Sequence, residues 1–124
     1  MSCTEIGLFD ALKKTDCVLI DRATATTPEE SREIYSRTVM ADFYFMSSNA
    51  VTLDGELVNI DGNGNRVACL ITGPKNVIMI VGMNKITTDV SAAVTRVRNI
   101  AAPPNGVRLG LKTPCAKYGK CHAC

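Results

Sequence analysis

Apolar positions along the chain come in short groups, and their spacing predicts alternating helices and strands. Ser2 and Glu5 have capping-box spacing, and Ile6, Leu8, Phe9 and Leu12 follow before Lys13-Lys14, which predicts a first helix. Cys17-Val-Leu-Ile20 is then a short apolar run of strand type. The second helix has the clearest start. Thr27 can cap it, Pro28 suits its first turn, and Glu30 stands three residues after the cap. Glu29 and Glu30 oppose the positive helix end, and Glu33 and Arg37 are spaced as an i,i+4 pair. Phe43 to Met46 predicts a second strand, closed by the polar turn Ser47-Ser48-Asn49. Val51 to Ile60 alternates around Asp54-Gly55, a hairpin signal.

The loop Asp61-Gly62-Asn63-Gly64-Asn65-Arg66 comes next. Periodicity leaves Arg66 to Ile71 open between strand and helix. Gly73-Pro74 breaks it. Asn76 to Val81 has no polar face, the pattern of a strand in the middle of a sheet covered on both sides. Val90, Ala93/Val94, Val97 and Ile100/Ala101 recur at helical spacing, predicting a third helix from about Thr88 to Ala102 that Pro103-Pro104 ends. Asn105 to Cys124 shows no periodicity and reads as a loop-rich tail. Helices alternating with apolar strands make an α/β layered domain, with helices on the faces of its sheet.

Composition narrows the class without naming a reaction. The 124 residues (13.3 kDa) suit one domain, 1–124, with a core over 1–104 and the tail over 105–124. Hydrophobic residues at 46% and charged ones at 21% exclude wholesale disorder. The longest aliphatic run, Val77 to Val81, is too short for a membrane span. No charged start leading into an apolar stretch is present, so the chain is expected in the cytoplasm. The charge is uneven. Before Val90 there are eight basic and twelve acidic side chains; after it come Arg96, Arg98, Arg108, Lys112, Lys117 and Lys120 with no acid. Such a stretch suits an anionic partner. Tyr118 is its only aromatic residue, which argues against nucleic acid and for a solvated or internally paired face.

Two constellations could carry chemistry. In the Gly-rich loop, Gly62 and Gly64 permit positive φ, so backbone N–H groups can turn toward an anion while Arg66 adds a clamp. No Gly-Lys-Ser/Thr follows, and only G-x-G is present, so neither a Walker loop nor a dinucleotide fingerprint is met. A tight turn that merely needs glycine is the competing reading. The second constellation is Cys115, Cys121 and Cys124, a C-x5-C-x2-C cluster with His122 inside it. Soft thiolates in a short loop suit zinc or an iron–sulfur cluster. Free thiols and a disulfide are the alternatives, and a reducing compartment disfavours the disulfide. Cys3, Cys17 and Cys69 stand in apolar contexts and are expected to pack as small hydrophobes. Nucleophilic catalysis finds little support: the one histidine is His122, beside Cys121. Asp54, Glu56 and Asp61 could serve as acid or base but stand at turns.

Several blocks together resemble a known family. They are Ser47–Thr52, Asp54–Val67, Gly73-Pro74-Lys75, Val81–Ile86, Arg98–Pro103 and Lys112–Cys115, and they resemble the lactate-utilisation (LUD) domain family over nearly the whole chain. The resemblance implies a fold similar to the ribose-phosphate isomerase and coenzyme A transferase group. It also implies a place in a multi-subunit system that oxidises L-lactate to pyruvate alongside iron–sulfur partners. Family members usually extend further at both ends, often with another cysteine beyond the equivalent of Cys124. Relative to them the chain is expected to be truncated, leaving edge strands that a homodimer could cover.

The expected function is therefore a LUD-type subunit or accessory of a redox system that binds a small anionic ligand. Its candidate residues are Asn49, Gly62, Gly64, Asn65 and Arg66, joined by Asn84 and Lys85 after the apolar strand. The alternative is a metal-binding or redox interaction module carried by Cys115, Cys121 and Cys124. A transferase or isomerase activity rests on fold analogy alone, with Glu56 its one nucleophile candidate.

Overall fold

The structure, a computed structural model, describes residues 2–122. It is a mixed α/β protein with two small sheets. The chain gathers into two compact units, 2–47 with 61–80, and 48–60 with 81–122.

In the first unit the expected opening helix is two short ones, α1 (Ser2–Glu5) and α2 (Leu8–Leu12). Gly7 between them takes the left-handed conformation (φ 69°), which interrupts the helical ladder. The apolar run Cys17–Ile20 forms no strand; among the described residues it has no pairing partner, and Val18 is 84% exposed. Helix α3 (Pro28–Val39) begins where its sequence says. The Thr27 hydroxyl accepts the Glu30 N–H at 3.1 Å, and the Glu30 carboxylate accepts the Thr27 N–H at 3.2 Å. That reciprocal pair satisfies two donors that a helix start otherwise leaves orphaned.

Strand β1 (Phe43–Met46) is as expected. The ambiguous segment is a helix, α4 (Asn65–Ile71), and β4 (Asn76–Met79) lies parallel to β1 with Phe43 beside Asn76 and Met46 beside Met79. Asp42 and Lys75 pair at 2.7 Å where the two strands begin. The expectation of a central strand covered on both sides is corrected: among the described residues β4 pairs with β1 alone, and Ile78 is 38% exposed. An all-apolar run signals burial only when a second layer covers it. On one face Met46 is buried and Tyr44 half-buried; on the other Phe45 is half-buried and Phe43 58% exposed.

The second unit holds β2 (Ala50–Thr52), β3 (Leu57–Val58) and β5 (Ile86–Thr87) in the order β3-β2-β5. The hairpin of β2 and β3 is antiparallel as predicted, and Gly55 at φ 89° makes its turn. Thr52 closes the turn, its hydroxyl accepting the Glu56 N–H at 3.0 Å and donating to the Glu56 carboxylate. Helix α5 (Val90–Arg96) starts at Asp89, whose carboxylate accepts the Ala92 N–H at 2.8 Å. It packs Ala93 and the following Val97 against Ala50 and Val58, the apolar core of this unit.

Pro103-Pro104 does not end the helix. Residues Val97–Ala101 widen into a π-helical stretch, and α6 (Ala102–Arg108) continues through both prolines. The two prolines lack the N–H groups an α-helical ladder needs, and their rings crowd the preceding turn. A wider turn, with the Ala102 N–H reaching Val97 O five residues back, carries the chain past them. The tail is also more ordered than its sequence suggests. Helix α7 (Pro114–Tyr118) packs on α6 where the buried Gly106 faces Ala116 and Thr113.

Candidate functional site

The Gly-rich loop lies in the first unit and leads into α4. Gly64 sits at φ 76° immediately before the helix; Gly62 is not in the left-handed region. The turn therefore needs glycine at one of the two positions. The Asp61 carboxylate accepts the N–H groups of Arg66 at 2.9 Å and Val67 at 3.3 Å, and Asn65 Oδ1 also accepts the Arg66 N–H. The Arg66 and Val67 N–H groups are thus turned to the chain's own carboxylate.

Arg66 reaches back to the end of β1, where its Nη1 donates to Ser47 O at 2.9 Å. Its Nε stands 3.7 Å from Asp61 Oδ1, too long for a tight fork. Both side chains are mostly covered, 17% and 18% exposed. The arrangement is a screened guanidinium–carboxylate pair between a strand end and a helix start.

Tyr44 of β1 belongs to the same neighbourhood, although its sequence context gave no chemical reason to choose it. Burial pushes its phenol above the usual range, with a further push from Cys69; Arg22 and Arg66 partly offset both. Cys69, on α4, is 2% exposed, and burial raises its thiol as well. The available signal was an aromatic with a polar tip inside an apolar strand.

Asn49, Asn84 and Lys85 lie in the second unit. The Asn49 N–H donates to Asn59 Oδ1 at 3.3 Å, and its own Oδ1 accepts the Ile60 N–H at 3.1 Å. Asn84 and Lys85 lie in a 3₁₀ turn, Met83–Lys85, that leads into β5. Arg96, singled out earlier only as one of the basic residues, joins two of these positions. Its Nη1 donates to Asn49 O at 2.6 Å and its Nε to Asn84 O at 3.0 Å. Beside it, Asp89, Thr95, Asn99 and Ile100 line an open groove of about 500 Å³. Such a bridging arginine is invisible to local spacing because its partners are backbone carbonyls 12 and 47 residues away.

The cysteine cluster is only partly described. Cys124 lies outside the described residues. Cys115 and Cys121 are half-buried, and the Cys115 thiol and Thr113 hydroxyl are 3.2 Å apart in a hydrogen bond. The His122 ring packs edge-on to Tyr118 at 5.7 Å. Among the described residues no group of three or more His, Cys, Asp or Glu side chains is placed to hold a metal ion. Of the other cysteines, Cys69 is buried as expected; Cys17 is exposed and accepts a hydrogen bond from the Thr15 hydroxyl at 3.0 Å.

Two small sheets and their helices define a mixed α/β protein with a screened Arg–Asp pair at a strand-to-helix turn. The model of the LUD domain matches residues 1–123, and the chain belongs to that family. No curated protein and no solved structure matches it. Among the described residues no helix is long and apolar enough to cross a membrane.

Proposed function

We propose that this LUD chain is a subunit or accessory of a redox system for lactate utilisation and binds a small carboxylate at the loop before α4. The observation that carries the reading is the family match over residues 1–123. The loop supports the ligand class. Arg66 stands 3.7 Å from Asp61 and is mostly covered, a guanidinium of the kind that recognises carboxylates. Gly64, Asn65 and Gly62 shape the turn that presents it. On this reading iron–sulfur chemistry lies with partner subunits, as the family resemblance implies.

Titration calorimetry of the full chain with L-lactate, pyruvate and inorganic phosphate tests this. Binding is expected for the two carboxylates, and Arg66→Ala should weaken it by about 1.5–3 kcal/mol, the scale of a hydrogen bond to a charged group. Circular dichroism must show Arg66→Ala folded, because the side chain also holds Ser47 O. No heat from either carboxylate at millimolar concentration, or equal affinity in the folded variant, would sink the assignment.

A further inference from the structure

The sequence sets an aspartate or asparagine directly before glycine at Asp54-Gly55, Asp61-Gly62, Asn63-Gly64 and Asn105-Gly106. At such a pair the glycine nitrogen can attack the side-chain carbonyl carbon and close a five-membered ring, because glycine carries no Cβ to hinder the approach. The reaction needs a side chain free to turn, a glycine N–H that is not held elsewhere, and a main chain able to rotate. A carboxamide also reacts more readily than a carboxylate, whose charge repels the attacking nitrogen.

The fold withholds these conditions at three of the pairs. The Gly55 N–H donates to Thr52 O at 3.0 Å, which ties down the pair at Asp54. Asp61 is a carboxylate whose oxygen accepts the Arg66 and Val67 N–H groups, and its side chain is mostly covered. Asn105 lies inside α6, where Gly106 is buried and Arg108 Nη2 donates to Asn105 Oδ1 at 2.7 Å. Helical ψ turns the Gly106 nitrogen away from the Asn105 side chain, so α6 has to open before the ring can close.

Asn63-Gly64 differs on each count. Both residues are exposed, in the bend ahead of α4. Among the described residues neither the Asn63 side chain nor the Gly64 N–H has a hydrogen-bond partner. The space a Gly64 Cβ would occupy is open, with nothing within 4 Å.

We propose that Asn63-Gly64 is a self-modification site, at which the chain deamidates without an enzyme. The Gly64 nitrogen gives up its proton and bonds to Asn63 Cγ; the Cγ–Nδ2 bond breaks, and ammonia leaves with that proton. Water then opens the ring at either carbonyl, leaving aspartate or isoaspartate at position 63. Both products add a negative charge to a loop, 61–66, in which Asp61 and Arg66 otherwise cancel. Isoaspartate also lengthens the main chain by a methylene just before the glycine that starts α4. The charge beside Arg66 thus changes with the age of the chain. The inference is independent of the ligand reading, because its readout is the chain's own mass.

Incubation of the full folded chain over days in neutral buffer, followed by peptide mapping with site-resolving fragmentation, tests it. The peptide carrying Asn63 should gain one mass unit, with isoaspartate among the products, and faster as pH rises, since the attacking nitrogen must lose its proton. Asn105 has to wait for local opening of its helix and should convert at least about tenfold more slowly. In guanidinium the two sites should convert at similar rates, which separates the effect of the fold from that of the Asn-Gly sequence. Asn63→Gln, whose longer side chain would have to close a less favourable six-membered ring, should abolish the change at this position. A folded chain that keeps Asn63 intact while the unfolded chain converts it overturns the proposal. So do equal rates at Asn63 and Asn105 in the folded chain.

Discussion

Glu30 shows how much one residue can organise when its partners are local. Its carboxylate accepts the Thr26 N–H at 2.7 Å, the Thr26 hydroxyl at 2.8 Å and the Thr27 N–H. Those bonds, the Thr26 N–H first, hold its pKa below the usual glutamate range. Asp89 is lowered in the same way, first by the Ala92 N–H and then by the Thr88 hydroxyl. A carboxyl group lowered in the folded state stabilises the fold above its unfolded pKa and loses that contribution as pH falls through the folded value. The chain should therefore lose urea resistance as pH drops below about 4, the ordinary range of these groups. Both side chains are fully exposed, so the effect is small and sensitive to salt. Glu30→Gln should flatten the acid slope of the urea midpoint; an unchanged slope would remove Glu30 as a contributor. These caps could be read from sequence because donor and acceptor are at most four residues apart. Arg66 and Arg96 could not, since the groups they hold are 19 and 47 residues away.

Among the elements, local chemistry set starts and turns well but gave stops and layers poorly. The Thr27-Pro28 start and the Asp54-Gly55 hairpin stand as their residues indicate, because each depends on a few neighbouring dihedrals. Pro103-Pro104 misled because a π turn can route the helix past both the missing donors and the crowding rings. Strand Asn76–Met79 misled because apolarity reports the wish for a cover and not its presence. The contact of α6 with α7 gives a prediction in which two effects compete. A Cβ on Gly106 would stand 3.2 Å from Ala116 Cβ and 3.4 Å from Thr113 Oγ1. Gly106→Ala gains about 0.5–1 kcal/mol of helix propensity, which offsets a few tenths of an ångström of crowding, so it should be near neutral. Gly106→Val adds two further methyl groups to the same gap and should cost about 1–3 kcal/mol by overpacking. Urea denaturation of the pair measures both, and equal stability of the two variants would show that α7 moves aside freely.

At the scale of the whole chain the two units are interleaved in sequence, since residues 48–60 of the second are inserted between β1 and α4 of the first. The mixed α/β class was legible from the alternation of elements, whereas this interleaving was not, because strand pairing at long separation leaves no local pattern. Lys75 reaches back 33 residues to Asp42 where β1 and β4 begin. In the other sheet the Thr87 hydroxyl reaches 36 residues back to Val51 O. Closing loops of that length before any strand contact forms is slow. Stopped-flow refolding from urea is expected over milliseconds to seconds, and a microsecond phase carrying the full amplitude would contradict it.

The parallel pairing of β1 with β4 also has a consequence for biosynthesis. At about 5–20 residues per second, roughly two to seven seconds separate the synthesis of β1 from that of its partner. Through that interval Phe43, Tyr44 and Phe45 leave the ribosome as a strand with nothing to pair with. The nascent chain is then most open to chaperones and to its neighbours on the same message.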